Sequence, residues 1–140
     1  MYTKGNKLYK YGIKEAYFTA PEFIESIAYR YDGSIYIIVR HEFGYKTYLL
    51  VDKKDKKKVY QIEAFDNLVQ IDHIYDYTYH QYNMKVKGYI NYGLGIDGEI
   101  YFLDDNAFNK MKKWKLIKQD GVEGISKIVR DYDEIFFIRP

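Results

Sequence analysis

Three segments of this chain share one frame of apolar positions, and that recurrence constrains the fold more than any single residue does. Pro21-Glu22-Phe23-Ile24-Glu25-Ser26-Ile27-Ala28, Leu68-Val69-Gln70-Ile71-Asp72-His73-Ile74-Tyr75 and Val122-Glu123-Gly124-Ile125-Ser126-Lys127-Ile128-Val129 each carry apolar side chains at the first, fourth, seventh and eighth positions. The first and third copies continue alike, with Tyr31-Asp32 and then Ser34-Ile35-Tyr36-Ile37-Ile38 against Tyr132-Asp133 and then Glu134-Ile135-Phe136-Phe137-Ile138. Gly33 is the single extra residue. A unit that cannot bury its own apolar face stacks on its copies, so the chain is expected to assemble from three stacked repeats.

The composition favours strands for those repeats. Eighteen Tyr and eight Phe against three Met suit a half-buried pleated surface, where aromatic and β-branched side chains pack well. With 140 residues and no Pro/Gly/Ser-rich linker, residues 1–140 are expected to form a single β-rich domain. The absence of cysteine removes disulfides and thiolate metal sites. No apolar run follows the charged N-terminus, so neither a secretory signal nor a membrane span is expected, and the expected location is cytoplasmic. A net charge of +2 is far from the strong basic field of a dedicated nucleic-acid protein.

Period-2 alternation is clearest in the middle of the chain. Val69, Ile71, His73, Tyr75, Tyr77 and Tyr79 share one parity, and Met84, Val86, Ile90, Tyr92, Leu94 and Ile96 share another. The pattern predicts a long antiparallel hairpin whose wet face holds Lys85, Lys87, Asn91, Gly93, Gly95 and Asp97. A second hairpin is expected from Ser34–Arg40 and Tyr45–Val51 around His41-Glu42-Phe43-Gly44, and shorter strands at Leu8–Tyr11, Val59–Ala64, Glu99–Leu103 and Glu134–Ile138. Ile71, Tyr75, Ile90, Leu94, Ile100 and Phe136 are the expected core. Two segments admit an α+β alternative. Thr19-Ala20-Pro21-Glu22 is a capping box that would start a helix near 20–31, and Asp105 would cap another near 105–113.

The order of an apolar segment with two Ile three apart, a hydrophobic strand and a DG-x-[IV]-Y strand resembles a blade of the regulator-of-chromosome-condensation type of β-propeller. Asp97-Gly98-Glu99-Ile100-Tyr101, preceded by Tyr89-Ile90-Asn91-Tyr92-Gly93-Leu94, carries the resemblance, and Gly5-Asn6-Lys7-Leu8-Tyr9-Lys10-Tyr11-Gly12 is similar to the same final strand. The resemblance implies a mainly β, incomplete propeller-like scaffold in which the N-terminal strand completes the blade left unfinished at Glu134–Ile138. It implies no particular function, because that fold hosts many. Three blades are fewer than the four to eight of a ring, so open sheet edges are expected to draw the chain into a homodimer.

No constellation points to chemistry. Gly93-Leu94-Gly95-Ile96-Asp97-Gly98 matches G-x-G-x-x-G, but a strand follows it where a pyrophosphate site needs a helix N-terminus. His73 and His80 fall on opposite faces of one strand, and Asp104-Asp105-Asn106 lacks calcium-loop spacing, so no metal and no cofactor are expected. Ser26, Ser34 and Ser126 sit in no nucleophile elbow. No catalytic residue is assigned, and an enzyme of unknown class is the weakest reading. What remains is tyrosine, amphipathic and cheap to order in an interface. The expected function is a non-enzymatic binding protein, of inhibitor or immunity type, that meets a partner protein through Tyr29, Tyr31, Tyr82, Tyr89, Trp114, Lys112 and Lys113. The alternative is a sugar or nucleotide module with its pocket between blades, lined by Tyr and Trp114.

Overall fold

The computed structural model describes residues 1–30, 32–54, 56–75, 89–104, 114–131 and 134–140, with the backbone alone for Tyr75 and Tyr89. The protein is mainly β, with four antiparallel sheets. Sheet I contains β1 (Tyr2–Lys4), β2 (Lys7–Tyr9) and β3 (Phe18–Thr19). Sheet II contains β4 (Ile24–Tyr29), β5 (Ile35–His41), β6 (Gly44–Lys53) and β7 (Lys56–Gln61). Sheet III contains β8 (Leu68–Tyr75), β9 (Tyr89–Gly95), β10 (Ile100–Asp104) and β11 (Lys115–Lys118), and sheet IV contains β12 (Lys127–Asp131) and β13 (Glu134–Ile138). Consecutive strands are neighbours in every sheet, so each sheet is a meander of hairpins.

The sheets stack face to face in chain order, with a separate hydrophobic seam at each junction. Leu8 and Phe18 of sheet I meet Ile24, Ile35, Ile37, Val39 and Leu50 of sheet II. The other face of sheet II, through Ala28, Tyr36, Ile38 and Leu49, meets Leu68, Ile71 and Leu103 of sheet III. Phe65 and Trp114 fill the middle of that seam, their rings stacked at 6.0 Å. The far face of sheet III, through Val69, Tyr92, Leu94 and Ile100, meets Ile128, Ile135 and Phe137 of sheet IV. The result is an open, propeller-like series.

Each of the three Ile-rich segments leads into the first strand of its sheet, and their three-residue spacing has a local cause. A register shift between Ile24 and Ser26 turns Ile24 and Ile27 to the same seam, and a shift between Leu68 and Gln70 does the same for Leu68 and Ile71. An extra residue in a strand converts spacing of two into spacing of three. That spacing also fits a helix, but of the segment 20–31 the described residues 20–30 form none: Thr19 pairs with Lys7 and the segment enters β4. The helix expected near 105–113 lies outside the described residues.

These first strands bring unpaired backbone edges together, and side chains satisfy them. Ser26 Oγ lies 3.3 Å from both Ile71 N and Ile71 O, and Gln70 bonds Ile128 through Nε2 to O at 2.7 Å and through Oε1 to N at 2.8 Å. On β4, the Tyr29 N–H donates to His73 Nδ1 at 3.3 Å, while Asn91 Nδ2 donates to Tyr29 O at 2.9 Å. A buried backbone group without a partner is costly, so these pairings tie sheet II to sheet III and sheet III to sheet IV.

Three expectations are corrected. The expected wet face is covered where it is described, since Asn91 and Gly93 share the Ile71 face and are buried against sheet II, while Lys85 and Lys87 lie outside the described residues. A Cβ on Gly93 would lie 2.9 Å from Leu68 Cδ1, so a glycine permits the close approach. The N-terminal strand does not complete sheet IV, because the two-residue turn Gly5-Asn6, with Gly5 at φ +62°, folds β1 straight back on β2. Phe136 is not core: it is 46% exposed on the outer face of sheet IV. Ile71, Leu94 and Ile100 are buried, and Ile90 is half-buried.

Candidate functional site

The end of the stack where β4, β8 and β12 begin carries the most distinctive surface. There the β5–β6 turn Glu42-Phe43 presents a phenyl ring that is 92% exposed. Two-residue hairpin turns draw on Gly, Asn, Asp and Ser because those residues accept the backbone they require. Turn formation therefore gives no account of a phenylalanine, and burial gives none either.

The turn is held rigidly from below. Asn67, in the left-handed region at φ +63°, exchanges two hydrogen bonds with Tyr45, donating from N to Tyr45 O at 2.9 Å and accepting at Oδ1 from Tyr45 N at 3.3 Å. Its side-chain oxygen occupies the place of a Cβ on Gly44, so no larger residue fits there without moving it. Asn67 O also accepts from Ile96 N at 3.0 Å, which fixes the β9–β10 turn beside the first. Ile96, at that second turn, is itself exposed. Asn67 is thus the node of two turns that each display an apolar side chain.

The second turn is braced as well. Asp97 accepts from Glu99 N and from the Tyr101 hydroxyl, both at 3.0 Å, and burial followed by the Asp97 bond raises the Tyr101 pKa. Gly98, at φ +80°, lies so near Gly124 that a Cβ would touch its Cα at 3.4 Å, and Ile125 N donates to Gly98 O at 3.0 Å. Between the second turn and the segment Gly124-Ile125-Ser126 runs an open groove of about 620 Å³ lined by Tyr45, Val69, Gly95, Asp97, Gly98 and Ile125. Flanking depressions of about 350 Å³ adjoin Phe43 and Ile96. The floor offers glycine backbone and apolar carbon, while Lys46 and Asp66, paired at 2.9 Å, add a polar margin. Asp66 raises the Lys46 pKa through that bond.

The residues expected from sequence do not assemble into one surface. Trp114, a candidate for the partner surface, is 3% exposed in the seam between sheets II and III, with the Arg30 guanidinium 5.3 Å from its ring centre. Arg30 is wholly buried and paired with Asp32 at 2.6 Å. An indole provides the large flat area needed between two sheets, and the cation is held over its π face. Tyr29 is half-exposed, its ring edge-on to His73. Tyr31, Tyr82, Lys112 and Lys113 lie outside the described residues, and Tyr89 is placed by its backbone in β9. The space between sheets II and III where a small ligand would sit is filled by Trp114, Phe65 and Tyr36. Phe43, Ile96 and Asn67 are the residues that sequence reasoning missed, and the usable signal was a Phe in a turn.

Other chemistry-bearing groups are engaged in structure. His73 is nine-tenths buried, and burial, reinforced by Arg130 and opposed by Asp72, lowers its pKa from the ordinary 6.5. Arg130 pairs with Asp72 at 3.0 Å. The hydroxyls of Ser26, Ser34 and Ser126 bond to Ile71 O, Asp32 and Ile138 O respectively. Among the described residues no group of three His, Asp or Glu is placed to hold a metal ion, and no helix is long and apolar enough to cross a membrane. Comparison of the chain with protein-family models, curated proteins and solved structures finds no match.

Proposed function

We propose that this chain is a non-enzymatic binding module that takes an extended segment of a partner protein across the end of the stack bearing Phe43 and Ile96. The observation that carries the reading is the phenyl ring of Phe43, exposed at the tip of a turn that Asn67 and Gly44 hold in one shape. Exposed aromatic side chains on rigid supports are the anchors that dominate binding energy, because little entropy is lost when they are buried. The groove that Ile96 lines is open rather than enclosed, which suits a chain better than a compact ligand. The serine hydroxyls are all occupied, which supports binding over nucleophilic catalysis.

The test is a library of random peptides displayed on phage, selected on the wild-type protein and on a Phe43→Ser, Ile96→Ser double variant. The expected outcome is enrichment of peptides with apolar anchors that lose about tenfold or more in affinity on the variant, a change of about 1.4 kcal/mol. Peptides that bind both proteins equally would place recognition elsewhere. A thermal-shift screen of sugars and nucleotides separates the small-ligand alternative, since a ligand at 100 times its Kd stabilises by about 2.7 kcal/mol.

A further inference from the structure

The small net charge of the chain conceals its distribution. Residues 1–19 hold Lys4, Lys7, Lys10 and Lys14 against Glu15, and residues 52–58 hold Lys53, Lys54, Lys56, Lys57 and Lys58 against Asp52 and Asp55. These nine lysines and three carboxylates amount to +6, so the rest of a chain of net charge +2 stands at −4. The fold brings the two segments together. Tyr17 holds the Lys10 ammonium 4.5 Å and the Lys57 ammonium 4.1 Å from its ring centre, Lys57 Nζ donates to Tyr17 O at 2.7 Å, and the Tyr17 hydroxyl donates to Asp52. Sheet I and the β6–β7 hairpin thus form one basic corner of the stack, the whole ten-residue length of β6 away from the Phe43 turn.

The outer face of sheet I, away from Leu8, carries aromatic rings among these lysines. Tyr2 and Tyr9 stand opposite each other in register, their rings 5.3 Å apart and 17° from parallel, and the Tyr11 ring lies 5.2 Å from that of Tyr2. Tyr2 is 40% and Tyr11 75% exposed, so burial gives no account of the cluster. On the same face the exposed Lys4 and Lys7 stand directly opposite each other. Like charges in that position destabilise a strand pair, and an anion between them removes the cost. Lys10 follows Tyr9 on the other side, so lysines stand at both ends of the ring cluster.

We propose that this corner binds single-stranded nucleic acid, with a base stacked on the exposed Tyr11 ring, a phosphate between Lys4 and Lys7, and the strand continuing past Lys10 and Lys57. Sites for single strands combine cations along the backbone with aromatic rings that take bases of any sequence. A duplex keeps its bases stacked on one another and meets only the lysines. An anionic lipid surface meets the lysines as well, but rings stacked on each other offer a flat face to a planar group, which bases supply and lipid headgroups do not. The remaining lysines of the β6–β7 hairpin strengthen the attraction without a fixed contact.

The test is fluorescence anisotropy of a labelled oligothymidylate of about twenty nucleotides, titrated with the full chain at salt from about 50 to about 200 mM. Four lysines on the strand predict a slope of log affinity against log salt of about −3. Tyr11→Ser, at a position 75% exposed, is expected to weaken binding about tenfold. Lys4→Gln with Lys7→Gln is expected to flatten the slope by about 1.4. Lys127→Gln removes a charge on sheet IV and is expected to leave affinity and slope unchanged. A duplex of the same length is expected to compete about tenfold more weakly. Equal competition by the duplex, or no effect of Tyr11→Ser, would show a general attraction for polyanions. Binding to phosphatidylserine vesicles but not to the oligonucleotide would make the corner a membrane contact, and no binding to either at about 50 mM salt would show a merely solvated face. Any of these results overturns the proposal.

Discussion

Strands β5 and β13 begin from nearly the same sequence and end in different surroundings. Ile35-Tyr36-Ile37-Ile38 is closed in by sheet I on one side and sheet III on the other, whereas Ile135-Phe136-Phe137-Ile138 is covered on one side and leaves Phe136 and Ile138 to solvent. A strand's sequence therefore specifies how many of its faces are apolar, and the chain's topology decides how many are covered. The difference separates sheets II and III, each packed between two filled seams, from sheets I and IV, each packed on one.

The largest effect that would break this comparison is in the middle. Ile37→Ala is expected to cost about 2–5 kcal/mol in urea unfolding, the range for a fully buried aliphatic side chain whose cavity does not collapse. Phe136→Ala at a concentration where the protein is monomeric is expected to change stability by about 0.5 kcal/mol or less. Similar costs for both would show that the two strands are equally covered in the monomer.

The node of the recognition end should come next. Asn67→Ala is expected to cost about 1–3 kcal/mol, since it removes the acceptor for Tyr45 N and puts in the left-handed region a residue that tolerates it less well than asparagine. Asn67→Gly relieves the backbone term and isolates the hydrogen bond. Equal stability of the asparagine and alanine proteins would show that the two turns are not braced there.

A smaller effect follows pH. The native pKa of His73 is below its ordinary 6.5, so on acidification the unfolded chain takes up a proton that the native protein resists. The contribution is fully present above pH 6.5 and is lost as pH falls from that value towards the native pKa. Protonation of Nδ1 also removes the acceptor for Tyr29 N. Denaturant titrations between pH 7 and pH 5 are expected to show a stability loss that His73→Gln flattens; an unchanged slope in the variant would assign the loss to carboxylates.

Much of the architecture was legible in the sequence because strand pairing leaves period-2 marks and turns leave glycines. The hairpin at Ser34–Val51 and the strands at Glu99–Leu103 and Glu134–Ile138 follow that alphabet. The face assignment was not legible. A bulge adds one residue without any compositional signature, so Leu68 and Ile71 share a face that alternation denies them. Nor does local sequence state which sheets lie above and below, so Asn91 and Gly93 looked wet and Phe136 looked buried. The recognition end was hidden for a related reason: Asn67 acts through backbone atoms of turns more than twenty residues away on each side, and only its left-handed conformation marks it.

The fold is held together by sheets packed across filled seams, and the single tryptophan reports on the central one. Trp114 lies between sheets II and III against Phe65 and Arg30, so its fluorescence needs no mutation to be assigned. The predicted result is emission shifted to short wavelength, with weak quenching by acrylamide that becomes strong only on unfolding. Native emission at the wavelength of free indole in water, with full acrylamide access, would place Trp114 on the surface and contradict the stacked arrangement.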